Sequence, residues 1–328
     1  MTSRRALLLA GGASFVSWPL ASYAQQPTRI ARIGLLSPYS PSTSPVWNES
    51  FRQGLRDLGW IEGRNITIEY RYAEGRLERL PDLAADLVRL KVDAIVTSVT
   101  PDAIAAKKAT SAIPIIMASP ADPVASGLVE SLARPGGNVT GLSQIGSELS
   151  GKRLELLKEI VPKLSRLAVL WNPQGPASIL YWKELQAPAR QLGLSLHPLD
   201  VRSPDELDKA LEDGVRTRAT ALLVLPDPAI TTNLKRIAEF AIRNRQPSLY
   251  HLTEFVEAGG LVTYGVDRAD LFRRAAAFVD KILKGAKPGE LPVEQATKFE
   301  LAVNLKTARA LGISIPQSLL LRANKVIE

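Results

Sequence analysis

The chain has 328 residues, 45% of them hydrophobic, 23% charged and 6% aromatic, with a formal net charge of +8 and no cysteine. That length admits one large domain or two lobes of about 150 residues, each able to bury a core. The missing thiols exclude disulfides, thiolate metal sites, iron–sulfur clusters and a cysteine nucleophile, while two histidines, His197 and His251, argue against histidine-rich metal catalysis.

The chain opens with Arg4-Arg5, an apolar stretch over residues 6–20, and Ser22-Tyr23-Ala24 before Gln25. A basic start, a short apolar middle and small residues at the cleavage positions read as an export signal, residues 1–24, cut after Ala24. Gly11-Gly12 and Pro19 would make a poor buried helix. Either the general secretory or the twin-arginine route fits. Cleavage removes two arginines and no acid, leaving 304 residues and a charge of +6. A protein exported to a bacterial periplasm rarely meets nucleic acid, so the charge reads as a solvated surface.

From residue 30 the pattern alternates. Strands are expected over residues 30–36, 66–72, 94–99 and 113–118, and helices over 46–58, 77–90 and 102–110. Apolar strands alternating with helices imply a parallel sheet covered on both faces. The order then restarts, with strands at 167–171, 194–201, 221–225 and 248–250 and helices at 178–192, 205–214 and 231–244. Leu58-Gly59 matches Leu192-Gly193, Val96 matches Val224, and Pro114 matches Pro247, at offsets of 134, 128 and 133 residues. This regularity points to a duplicated α/β lobe rather than a solenoid. A strand at 261–264, a long helix at 267–283, a strand at 299–303 and a short helix at 305–311 form a tail able to complete either lobe.

In parallel α/β sheets, ligands sit beyond the C-terminal strand ends, where helix N-termini offer free N–H groups. The loops at those ends are rich in hydroxyls and amides, which suits a small ligand bearing a carboxylate. The candidate binding residues are Ser37, Thr97, Ser98, Thr100, Ser119, Asp122, Asn172, Asp227, Tyr250 and Tyr264. Each also has a plain structural reading. Ser, Thr, Asn and Asp before a helix are ordinary caps, and a half-buried tyrosine often fills a hinge. Gly-x-Ser-x-Gly, a phosphate loop ending in lysine, a dinucleotide fingerprint after the first strand and His-Glu-x-x-His are all missing from the sequence, so neither a catalytic nor a metal site is assigned.

The stretches Phe51-Arg52-Gln53-Gly54-Leu55, Glu62-Gly63-Arg64-Asn65-Ile66, Ala133-Arg134-Pro135-Gly136-Gly137-Asn138-Val139-Thr140-Gly141-Leu142 and Leu149-Ser150-Gly151-Lys152-Arg153 appear in order. With Tyr264-Gly265, Phe299-Glu300-Leu301 and Ser318-Leu319-Leu320-Leu321-Arg322-Ala323, they resemble the ABC-transporter substrate-binding proteins of the tryptophan/tyrosine-binding type. The resemblance implies an α/β type I periplasmic-binding-protein fold, with two doubly wound parallel-sheet lobes joined by a three-crossover hinge and a ligand cleft between them. It places residues 29–141 plus 247–289 in lobe one and 142–246 plus 290–328 in lobe two. It also implies a monomeric carrier without cofactor that closes on a small-molecule ligand, possibly amino-acid-like and aromatic, and delivers it to the membrane subunits of an ABC permease. On that reading Ser98, Thr100 and Ser119 hold the carboxylate, Asp227 or Asp122 meets an ammonium, and Tyr250 and Tyr264 flank the ligand. A ligand-responsive transcriptional regulator of the same fold stays open as an alternative, although the export signal occupies the place of its DNA-binding headpiece. An enzyme on the same scaffold is the third reading.

Overall fold

The computed structural model describes residues 30–43, 45–144 and 149–328; the export signal expected over residues 1–24 lies outside them. Apolar runs become β1 (Ala31–Ser37), β2 (Ile66–Tyr72), β3 (Ala94–Thr97), β4 (Ile115–Met117) and β5 (Val139–Ser143). They pair in parallel in the order β5-β4-β3-β1-β2. β3, β4 and β5 are buried along their whole length, as a sheet sandwiched between helices requires. The covering helices are α1 (Pro45–Asp57), α2 (Leu80–Arg89) and α3 (Thr100–Ala109). α1 turns Trp47, Phe51 and Leu55 into the core, at the spacing of one helical face.

The second layer repeats the plan. α4 (Leu149–Ile160) precedes β6 (Arg166–Trp171), α5 (Pro176–Gln191), β7 (Ser195–Asp200), α6 (Leu207–Arg216) and β8 (Ala221–Val224). Then come α7 (Pro228–Thr231), α8 (Leu234–Arg243), β9 (Ser248–Tyr250), α9 (Thr253–Glu257) and β10 (Val262–Val266). The helix expected at 231–244 is α8, which starts three residues later, with the short α7 preceding it. Pro198 is accommodated because β7 is the edge strand, where a missing N–H leaves no neighbour unpaired.

The chain returns to the first sheet through α10 (Arg268–Leu283), which packs along α1. The helices approach so closely at Gly54 that a Cβ there would lie 2.4 Å from the Arg273 carbonyl oxygen. A two-residue strand, β11 (Glu294–Gln295), then extends the first sheet beside β5. Finally β12 (Phe299–Asn304) runs antiparallel to β10, and β13 (Lys325–Ile327) pairs with β12, completing a seven-stranded sheet in the order β13-β12-β10-β9-β8-β6-β7. The chain therefore passes between the sheets three times, after β5, after β10 and after β11.

These crossings revise the expected lobe boundaries. Residues 247–266 were assigned to the first lobe, yet Leu222 and Leu223 pair with Ser248 and Leu249, placing β9 and β10 in the second sheet. Leu249, Leu261 and Val262 bury with Leu167, Leu223 and Leu301 in the second-lobe core. Residues 294–295 went the other way, joining the first sheet. The cause is long-range strand pairing, which local composition does not record.

Candidate functional site

The C-terminal strand ends of the two sheets face each other, and the three crossings run along one side. Between the lobes lies a cavity of about 20 Å³, bordered by Tyr39, Thr100 and Ala121 from the first lobe and by Tyr181 and Asp227 from the second. Gln144, after β5, and Arg268, after β10, border it at the crossings. Gln144 ties the lobes together: its Nε2 donates to the Ser119 carbonyl at 2.6 Å, and its Oε1 accepts from the Tyr181 hydroxyl at 3.2 Å. An apolar cluster continues across the junction, from Tyr39 and Trp47 through Val266 to Leu252 and Phe255.

Two arginines dominate the electrostatics. Arg268 is 3% exposed; its Nη1 donates to the Tyr39 hydroxyl at 3.0 Å, and its guanidinium lies 4.8 Å from the Trp47 ring centroid. Arg153 is 2% exposed, donates from Nε to the Tyr264 carbonyl at 2.8 Å, and sits over the Tyr181 ring at 5.7 Å. Neither has a carboxylate partner among the described residues, and Arg268 Nε and Arg153 Nη1 are buried donors without an acceptor. Burial pulls the Arg153 pKa down. His251, between β9 and α9, is pushed well below its ordinary value by burial and then by the two guanidiniums, so it is neutral.

Of the expected residues, Thr100 and Asp227 border this cavity, and Thr97, Ser98, Ser119 and Asn172 lie at the strand ends and loops beside it in the chain. Thr100 borders the cavity, and its hydroxyl accepts the Ala121 N–H at 3.1 Å. Ser119 and Thr97 are buried with hydroxyls that lack partners. The Ser98 N–H donates to Asp102, a buried carboxylate capping α3, whose pKa burial raises to about 7. Asp227 borders the cavity but caps α7, accepting the Ala229 N–H at 2.9 Å, and burial raises its pKa to about 7 as well. Asn172 accepts the Gln174 N–H through its side-chain oxygen, and its own N–H donates to the Ser178 hydroxyl.

Four residues fall outside. Ser37 accepts the Tyr39 N–H within its own turn, and Asp122 accepts the N–H groups of Val124 and Ala125. Tyr250 is fully buried, stacked on Phe255 at 4.5 Å. Tyr264 stacks on Phe299 and brings only its carbonyl towards the site, through Arg153. Conversely, Tyr39, Gln144, Arg153, Tyr181 and Arg268 were not among the expected residues. One signal was available: Arg153 stands among Leu149, Leu154, Leu156 and Leu157 in a helix whose apolar residues leave little solvent face.

A second cavity, of about 340 Å³, opens beside the crossings between Trp47, Arg268 and the second-lobe residues His251, Glu254 and Glu300. Burial, followed by nearby carboxylates, raises the pKa of Glu300. Among the described residues no helix is long and apolar enough to cross a membrane, and no cluster of acids and histidines is arranged to hold a metal ion.

Comparison with known proteins places this geometry. A sequence profile described as ABC transporter substrate binding protein matches residues 43–327. The chain is 31% identical over 265 residues to a tyrosine-binding protein of Clostridioides difficile, covering 81% of this chain and 76% of that one. It is similar in structure to a conserved domain protein from Vibrio cholerae, with a TM-score of 0.86 at 28% identity over 91% of this chain and all of that one. The ABC domain from Streptococcus pneumonia in complex with L-Trp gives 0.85 at 29% identity, covering 90% and 99% of the two chains. The ligand-free, open structure of a substrate binding protein with adhesive properties from Clostridium difficile gives only 0.65 at 26% identity, over 91% and 99%.

Proposed function

The chain belongs to the ABC transporter substrate-binding protein family, and from that premise we propose that it captures a small carboxylate-bearing ligand between its lobes, outside the cytoplasm, and hands it to its permease. The family is one of binding proteins rather than enzymes, and its members are the solute-binding components of ABC transporters. The carrying observation is the pair of buried guanidiniums, Arg153 and Arg268, which have no carboxylate partner among the described residues. Burying an unpaired charge costs several kcal/mol, roughly, and a ligand carboxylate offsets that cost in the closed state. Relatives named for tyrosine, or bound to L-Trp, support a ligand of amino-acid size. The residues we assign to it are Arg268, Arg153, Thr100 and Ser119, with Tyr39 and Tyr181 holding the guanidiniums in place.

Capture proceeds by hinge closure about the three crossings, as the contrast between the closed and open relatives supports. The test is calorimetry and thermal shift on the purified chain across small carboxylates, amino acids and neutral polyols. Binding confined to carboxylate-bearing compounds is expected. Binding by neutral polyols alone overturns the reading.

A further inference from the structure

The cavity beside the crossings carries unmet charge of both signs. Its volume of about 340 Å³ falls within the range of small-molecule sites. Trp47, on α1, and Arg268, at the start of α10, line it from the first lobe; Glu254, on α9, and Glu300, on β12, line it from the second.

Four carboxylates line this cavity, and two of them are already matched. Glu257 pairs with Lys325 at 2.5 Å, and Asp267 caps α10 by accepting the Asp270 N–H at 2.9 Å. The other two are not. Glu300 accepts one neutral hydrogen bond, from the Thr253 hydroxyl at 2.8 Å, and Glu254 accepts only its own backbone N–H. Neither forms an ion pair among the described residues. Burial first, and then neighbouring carboxylates, push both pKa values up, as expected for negative charge without a counter-ion. Arg268, in turn, is 3% exposed and its Nε has no acceptor.

Among the described residues no three of these acids converge closely enough to hold a metal ion, so a point cation does not answer the arrangement. A cation of any kind also leaves the Arg268 donor unmet. A ligand with an ammonium at one end and a carboxylate at the other answers both. Ammonium N–H groups need acceptors, which Glu254 and Glu300 supply, and a carboxylate accepts from the guanidinium edge.

We propose that this cavity is a second ligand site, separate from the interlobe cleft, for a small zwitterion whose ammonium meets Glu254 and Glu300 and whose carboxylate meets Arg268. Its charged walls belong to different lobes, so on the hinge reading its occupancy is coupled to the rotation of the lobes.

Glycine, β-alanine and 4-aminobutanoate vary the charge separation, and butylamine and butanoate each lack one end. All five are titrated calorimetrically into the purified chain and into Glu254→Gln, Glu300→Gln and Val46→Trp, the last narrowing the cavity from an exposed position without changing its charge. At least one zwitterion should bind the wild type, at least tenfold tighter than butylamine, and should bind each variant at least tenfold more weakly. Butanoate, which the cleft takes on the reading above, should not weaken in either glutamine variant. No zwitterion binding, or binding that survives in all three variants, overturns the second site. Butylamine binding as tightly as the zwitterion overturns the contact with Arg268. Butanoate weakening as much as the zwitterion in the glutamine variants shows that these acids act on the cleft instead, which also overturns the second site.

Discussion

Replacing Arg268 by methionine separates a binding guanidinium from a structural one, because the two roles move stability and affinity in different directions. The side chain is 3% exposed and has no carboxylate partner among the described residues. Its hydrogen bond to Tyr39 contributes ~1.5–3 kcal/mol, as expected when one partner is charged. Stacking on Trp47 adds about 2 kcal/mol in a desolvated setting. Against these stands a desolvation penalty of several kcal/mol, roughly, which methionine removes while keeping a similar length. The terms nearly cancel, so Arg268→Met should leave the unfolding free energy of the ligand-free protein within about 1 kcal/mol of wild type. Ligand affinity should fall by roughly 10²–10³-fold, since one member of a buried charged pair is lost. Chemical denaturation and calorimetry with the best-binding carboxylate read the two quantities. A variant destabilised by about 3 kcal/mol or more that still binds at wild-type affinity would falsify the assignment, leaving Arg268 as a packing group.

Three other outcomes follow from the same coordinates. Gly75, at φ +81° in the first lobe, faces Thr232 across the cleft mouth, and a Cβ would meet the Thr232 hydroxyl at 2.9 Å; Gly75→Val should therefore hold the lobes apart, seen as a larger radius of gyration in solution scattering with ligand and at least tenfold weaker binding. Gly54→Ala improves helix propensity by about 1 kcal/mol but drives Cβ to 2.4 Å from the Arg273 carbonyl, so a net loss of ~1–3 kcal/mol is expected by denaturation; a stabilised variant would show that α1 and α10 are not locked. Asp227 has its folded pKa raised to about 7 from an ordinary value near 3.8, so its favourable contribution is present in full below pH ~4 and lost as pH rises to ~7. Asp227→Asn should thus gain stability relative to wild type between pH 5 and pH 8, by up to about 4 kcal/mol, and a difference independent of pH refutes the raised value.

The layers of this fold were legible because strand and helix periods are local. Residues 94–96 and 221–224 are apolar at every position, and the helices between carry one inward stripe. The site was legible only in outline. Thr100, Ser119 and Asp227 stand at strand ends, where the rule for parallel sheets puts ligands, but a cap and a ligand contact draw on the same residue types. Asp227 turned out to be spent on capping. Tyr250 and Tyr264 followed the expectation that aromatics at strand ends face a ligand, yet Phe255 and Phe299, brought up by α9 and β12, cover them. Arg153 and Arg268 were hidden for a related reason: an arginine in a helix reads as solvent-facing until the opposing lobe is placed over it. The early assignment of residues 247–266 failed likewise, because sheet membership depends on a partner strand that lies far away in sequence.

The position of Arg268 links charge to motion. It follows β10 directly, at the second of the three crossings, so on the proposed hinge reading the backbone that bends also carries a guanidinium that is buried here. Arg153 is joined to the same strand through the Tyr264 carbonyl. Opening the lobes rehydrates both groups, whereas closing without an anion leaves both desolvated and short of acceptors. A bias of even ~3 kcal/mol against the unliganded closed form keeps it below about 1% of the population. A carboxylate removes that bias only in the closed form, where it meets both donors. Differential interaction of this kind is what a ligand needs to shift a two-state equilibrium. On the proposed reading, the same two side chains set what is recognised and make closure conditional on recognition.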